Sequence, residues 1–121
     1  IIVSYVVGEA LGKRTIFTER KEGKMGLHRN FEIAQNERVL VVEDVVTTGG
    51  SVQEAITAIA DNKIEIAGIS PIVDRSGGEA EFDYPYKPLI KLEVESFSKE
   101  NCPLCKEGIP ITKPGSRENI S

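Results

Sequence analysis

The chain has 121 residues, of which 40% are apolar and 28% charged, the make-up of one modest globular domain and not two. No apolar run approaches the roughly 20 residues that span a bilayer. The start shows no basic n-region and no A-x-A-like cleavage site, so neither a membrane segment nor a signal peptide is expected. The net charge of −4 argues against a general nucleic-acid binder.

In chain order, apolar residues at positions 2, 3, 6, 7, 10 and 11 have helical spacing, which predicts a helix over Ile1 to Leu11 with Gly12 as its stop. The opening run IIVSYVV is almost wholly apolar and does not begin with Met, which reads as a chain shortened at its N-terminus. Thr15 to Thr18 (TIFT) is β-branched and aromatic, a short strand. Glu19 to Asn30 is polar and basic, holds Gly23 and Gly26, shows no period, and reads as a mobile loop. Phe31 to Ile33 suggests a short return strand. Arg38 to Glu43 (RVLVVE) is the clearest strand, and its four consecutive apolar residues fit burial on both faces of a parallel sheet. Turn residues TTGGS lead into a helix from Val52 to about Ala60, apolar at 52, 55, 56, 59 and 60. Ser51 is placed to N-cap that helix, and Ser51-x-x-Glu54 has the form of a capping box. Ile64 to Val73 is the next strand, with Pro71 favouring an edge or a bulge. A turn at Ser76-Gly77-Gly78, a strand over Leu89 to Val94 and an irregular tail from Ser98 complete the chain. This order predicts a single α/β domain over residues 1–121, a mainly parallel sheet flanked by helices with a βαβ unit from Arg38 to Val73.

Charge is unevenly spread. Lys13, Arg14, Arg20, Lys21, Lys24 and Arg29 stand against only Glu19 and Glu22 in that stretch, while the rest of the chain has nine positive and seventeen negative side chains. A basic island on an acidic protein suits a small anionic ligand, with a solvated loop as the alternative. The two cysteines, Cys102 and Cys105 in C-P-L-C, are too few for a secreted disulfide scaffold. Reduced thiols of a cytoplasmic protein are the simplest reading. A redox pair and a zinc site shared across a dimer are the alternatives, because one C-x-x-C and His28 do not supply four ligands.

In parallel sheets, ligands sit beyond the carboxyl ends of the strands. Here that place holds V-L-V-V-E-D-V-V-T-T-G-G-S, residues 39–51. Gly49 and Gly50 let a ligand approach the main chain, and N–H groups at a helix start form an anion site. Thr47, Thr48 and Ser51 add hydroxyl donors, which together make a monophosphate cradle. Neither G-x-x-x-x-G-K-[ST] nor G-x-G-x-x-G is present. Glu43 and Asp44 can accept hydrogen bonds from sugar hydroxyls, or lie beside a bound Mg²⁺.

This segment resembles the phosphoribosyl-diphosphate (PRPP) motif of type I phosphoribosyltransferases, with Glu43 in place of the first Asp of the usual pair. Three further features are similar to the orotate phosphoribosyltransferases: the basic loop R-K-E-G-K (20–24), V-D-R-S-G-G (73–78) and the tail C-P-L-C-K-E-G-I-P-I-T-K-P-G-S (102–116). The resemblance implies the type I fold with a mobile basic loop. It implies that Thr47 to Ser51 hold the 5′-phosphate, that Glu43 and Asp44 hold the ribose hydroxyls, and that Val45 and Val46 lie in the same PRPP segment. Thr47 and Arg75 correspond to orotate-contacting residues, and Arg20, Lys21 and Lys24 to cations that cover the pyrophosphate in catalysis. His28 lies beyond the position of the family's loop histidine and takes no role. The implied reaction joins ribose 5-phosphate from PRPP to orotate, giving orotidine 5′-monophosphate and pyrophosphate. Mg²⁺ is implied as carried by PRPP with no direct protein ligand, Asp44 being a candidate to approach it, and a cytoplasmic homodimer that shares the basic loop is implied as well. A purine-type transferase and a non-catalytic PRPP-sensing regulator on the same fold are the alternatives. The family's N-terminal segment and leading strand are expected before Ile1.

Overall fold

A computed structural model describes residues 1–60, 63–95, 97, 98 and 100–109. Its centre is the strand pair β3 (Arg38–Val46) and β4 (Glu65–Asp74), joined by helix α2 (Gly50–Ile59). The two strands run parallel, with Arg38 opposite Glu65 and Val46 opposite Asp74, so the expected βαβ unit is present. A two-residue strand β5 (Ile90–Lys91) adds in parallel to β4 and gives the order β3-β4-β5. Helix α1 (Ile2–Leu11) packs against β3 and ends at Gly12 in the left-handed conformation, as its spacing predicts. Val52 and Ile56 of α2, one turn apart, bury with Val46 and Ile69 into one core. No helix among the described residues is long and apolar enough to cross a membrane.

Several elements differ from the sequence expectation. The basic stretch is a β-hairpin, β1 (Thr18–Lys21) paired antiparallel with β2 (Lys24–Leu27). Its turn is Glu22-Gly23, both at positive φ (51° and 81°), the two-residue geometry that matches strand twist. Thr15 to Phe17 and Phe31 to Ile33 are irregular and not strands. Their side chains are held by ring packing instead: Phe17 meets Phe31 edge-on at 5.0 Å, and the Arg29 guanidinium lies 5.4 Å from the Phe17 ring centre.

β3 runs three residues beyond its expected end, through both acids to Val46. It is an edge strand among the described residues, so burial on both faces is only partial, with Leu40 42% exposed. A groove of about 650 Å³ follows this strand and touches Ile2, Phe17, Val41 and the acid pair. Pro71 is buried in the central strand, not at an edge or a bulge. The neighbouring segment shows how. Ile69 N–H donates to Pro85 C=O, Lys87 N–H to Ile69 C=O, and Leu89 N–H to Pro71 C=O. The Lys87 carbonyl is the acceptor a residue 71 amide would meet, and the Ser70 hydroxyl donates to it at 2.9 Å. The strand expected over Leu89 to Val94 is only Ile90–Lys91. The tail forms a short helix α3 (Pro103–Lys106), and residues 110–116 of the tail motif lie outside the described residues.

Candidate functional site

The site is assembled at the carboxyl end of β3. Parallel pairing with β4 carries the strand to Val46, which is 2% exposed and anchors the segment in the core. Glu43 is half-buried and Asp44 exposed. The Asp44 N–H donates to Glu43 Oε1 at 3.1 Å, and the Val45 N–H to Asp44 Oδ1 at 2.8 Å. Burial pushes the Glu43 carboxyl above its ordinary range, and hydrogen bonding to Asp44 and its charge add to that. Hydrogen bonding from Glu43, then from the Val45 amide, holds Asp44 below its ordinary range. The two carboxyls therefore titrate together, with Asp44 the first of them to ionise. No cationic side chain pairs with either acid among the described residues.

Beyond Val46 the chain turns through Thr47, Thr48 and Gly49 into α2. Gly49, at φ 81°, is the N-cap, and no side chain caps the helix. This corrects the expected capping box: α2 starts two residues early, Ser51 lies inside its first turn, and Glu54 bonds elsewhere. The Gly50 N–H has only a long 3.5 Å approach to Thr48 Oγ1. The first-turn amides of Ser51 and Val52 have no intrahelical acceptors, as at any helix start. Uncapped amides beside exposed Thr47 and Thr48 hydroxyls make an anion cradle. Gly49 is required twice. It takes a left-handed φ, and a Cβ there would stand 2.9 Å from Phe82 Cζ.

The end of β4 lies alongside. The Arg75 N–H donates to Val46 C=O at 2.8 Å, so this residue is tied to the strand that leads into the cradle. Asp74 is 4% exposed, and its Oδ1 accepts the Ser76 N–H at 2.8 Å. Hydrogen bonding from Ser76 holds the Asp74 carboxyl below its ordinary range against the opposing effect of burial. Tyr86 lies near it, its hydroxyl pushed up to about 12 by burial and by the Asp74 charge. The turn continues with the Gly78 N–H donating to Ser76 Oγ at 3.2 Å. The exposed Arg75 guanidinium has no ion pair or hydrogen bond among the described residues. It is a cation held near the cradle by its backbone and left open at its side chain.

The basic hairpin sits on α2 through β2. Arg20 donates to the Gly23 carbonyl at 3.0 Å and forms an ion pair with Glu54 of α2. Lys21 and Lys24 are exposed partners across the turn. Neither bonds to residues 43–51, so the structure joins Glu43 to Ser51 with Arg75 and leaves the lysines apart. His28 Nε2 is buried without a hydrogen-bond partner. Glu54 and Phe82 were not found by sequence reasoning. Glu54 fitted a capping pattern, and nothing in F-D-Y-P-Y aims Phe82 at residue 49.

The donor set also bears on a divalent cation. Asp44 is exposed, ionised and unpaired, a hard oxygen ligand that fits Mg²⁺. No group of three or more His, Cys, Asp or Glu side chains gathers among the described residues, so the protein fits an ion bound chiefly by water and substrate oxygens.

The phosphoribosyl transferase domain matches residues 6–104. The orotate phosphoribosyltransferase of Thermoanaerobacter sp. (strain X514) is 53% identical over 118 residues, 98% of this chain and 62% of the relative. That of Caldicellulosiruptor bescii is 52% identical over the same shares. That of Thermotoga maritima is 48% identical over 97% of this chain and 63% of its own. The chain thus spans about 62% of the length of the curated relatives it matches.

Proposed function

We propose that this chain, which belongs to the phosphoribosyl transferase domain family, is the part of an orotate phosphoribosyltransferase that binds PRPP and the orotate carboxylate. The reading rests most on one observation: an uncapped cradle, an unpaired acid pair and an unpaired Arg75 meet at the ends of β3 and β4. Thr47, Thr48, Gly49, Gly50 and Ser51 take the 5′-phosphate, with Val45 and Val46 setting the strand end that presents them. Glu43 and Asp44 accept hydrogen bonds from the ribose hydroxyls, which fixes the sugar for attack at C1′. Arg75 grips the orotate carboxylate through its planar fork, and Thr47 adds a hydroxyl. Arg20, Lys21 and Lys24 neutralise charge on the departing pyrophosphate as N1 of orotate bonds to C1′. Mg²⁺ carried by PRPP would supply further charge neutralisation at the diphosphate, and Asp44 is the side chain that would approach it. The hairpin acts as a lid that excludes water, and it serves the neighbouring subunit of a homodimer in the cytoplasm. Residues 1–121 form a single domain in this reading.

The test is direct. The complete protein, given PRPP, Mg²⁺ and orotate, should consume orotate absorbance and release pyrophosphate. Consumption of hypoxanthine or adenine instead, or PRPP binding with no transfer to any base, would overturn the assignment.

A further inference from the structure

The C-P-L-C pair has no part in the proposed chemistry, and its geometry is specific. Cys102 is the residue just before α3, with extended backbone (φ −68°, ψ 119°), and Cys105 lies within the helix. The Lys106 N–H donates to the Cys102 carbonyl at 3.2 Å, and the Gly108 N–H to the Cys105 carbonyl at 3.1 Å, so one turn is closed around the two thiols. Both residues are partly exposed. Residues three apart on a helix have Cβ atoms about 5–6 Å apart. A disulfide needs about 3.5–4.5 Å. Cys102 lies outside the helical backbone, so its rotation can close that gap without unwinding α3. No third metal-ligating side chain joins the pair among the described residues.

We propose that Cys102 and Cys105 form a redox-active dithiol that exchanges with low-molecular-weight disulfides to give an intramolecular Cys102–Cys105 disulfide, with Cys102 the attacking sulfur. In the first step the Cys102 thiolate bonds to one sulfur of the disulfide, whose S–S bond breaks and releases one thiolate. In the second step Cys105 gives its proton to water and bonds to the Cys102 sulfur, which expels the second thiolate. The protein loses two electrons and two protons, and the small disulfide becomes two thiols. Hydrogen bonding from the Cys105 amide and thiol holds the Cys102 thiol below its ordinary range, which favours it as the attacking group. This inference does not depend on the transferase reading.

The experiment incubates the complete reduced protein with oxidised glutathione without oxygen, then quenches in acid and weighs the intact protein. Wild type should lose the mass of two hydrogens with no lasting adduct, and dithiothreitol should restore it. Cys105→Ser should instead retain one glutathionyl group, several-fold more than Cys102→Ser under the same conditions. A wild-type protein that keeps both thiols alkylatable, accumulates a stable glutathione adduct, or joins only between chains would overturn the proposal. So would equal trapping by the two serine variants.

Discussion

Gly49→Ala isolates the demand that the phosphate cradle makes on the backbone. Alanine at φ 81° carries the left-handed penalty of about 1–2 kcal/mol. Its Cβ would also stand 2.9 Å from Phe82 Cζ and 3.3 Å from Cε1, closer than side chains pack. Phe82 cannot retreat freely, because its ring lies 5.0 Å from that of Tyr86. Overpacking of this kind costs about 1–3 kcal/mol, so a total loss of about 2–5 kcal/mol is expected. Gly50→Ala is the internal control. Gly50 is the first helical residue, has no left-handed φ, and a Cβ there meets nothing nearer than Thr48 Oγ1 at 3.6 Å. Its stability should stay level or rise slightly, since alanine favours helix. Urea unfolding of both variants measures the difference. Adding Phe82→Ala to Gly49→Ala should recover the steric part and leave the backbone part, read as a double-mutant cycle. Equal stabilities for the Gly49 and Gly50 variants would refute this account of the cradle.

Four further outcomes follow from the site. Lys24→Ala should cut turnover about a hundredfold while PRPP affinity changes little, because in the proposed reading its contact is made as pyrophosphate leaves; steady-state kinetics beside calorimetry separates the two. Asp44→Asn should weaken PRPP binding by about 1.5 kcal/mol, roughly tenfold, with Mg²⁺ present in the calorimeter. Arg75→Ala should raise the KM for orotate by about 10- to 150-fold, the value of a charge-assisted contact of about 1.5–3 kcal/mol, and leave the melting temperature unchanged because the side chain is exposed. The Asp74 carboxyl is held down in the folded state, so its stabilising effect is present above the ordinary aspartate range and is lost as pH falls through its lowered value. Denaturation between about pH 2 and 5 should therefore be less pH-dependent in Asp74→Asn than in wild type.

The parts of the molecule that follow local chemistry were legible in the sequence. The α1 spacing, its stop at Gly12 and the β3-α2-β4 unit follow from periodicity and turn residues alone. The PRPP-like segment was legible because its residue types have few other joint uses. What escaped were features decided by partners distant in sequence. The basic stretch looked like a loop because neither of its strands alternates, yet Glu22 and Gly23 accept a tight reversal and Thr18 then meets Leu27. The Ser51–Glu54 pattern was misleading because Arg20, 34 residues away, competes for the carboxylate. Pro71 favours an edge or a bulge by its missing N–H, but a serine hydroxyl takes over the bond that it lacks and the strand is central.

The bond from the Arg75 amide to the Val46 carbonyl has a consequence for selectivity. It joins the two strand ends at their last paired residues, so the distance from the cradle to the Arg75 backbone is set by main chain, and the rotamers of one exposed side chain set the reach of the guanidinium. In the proposed reading the carboxylate clamp is therefore rooted at a fixed place relative to the phosphate and adjustable only at its tip. Ligands whose two anions differ slightly in spacing are then met by that one side chain, whereas a spacing beyond its reach is not.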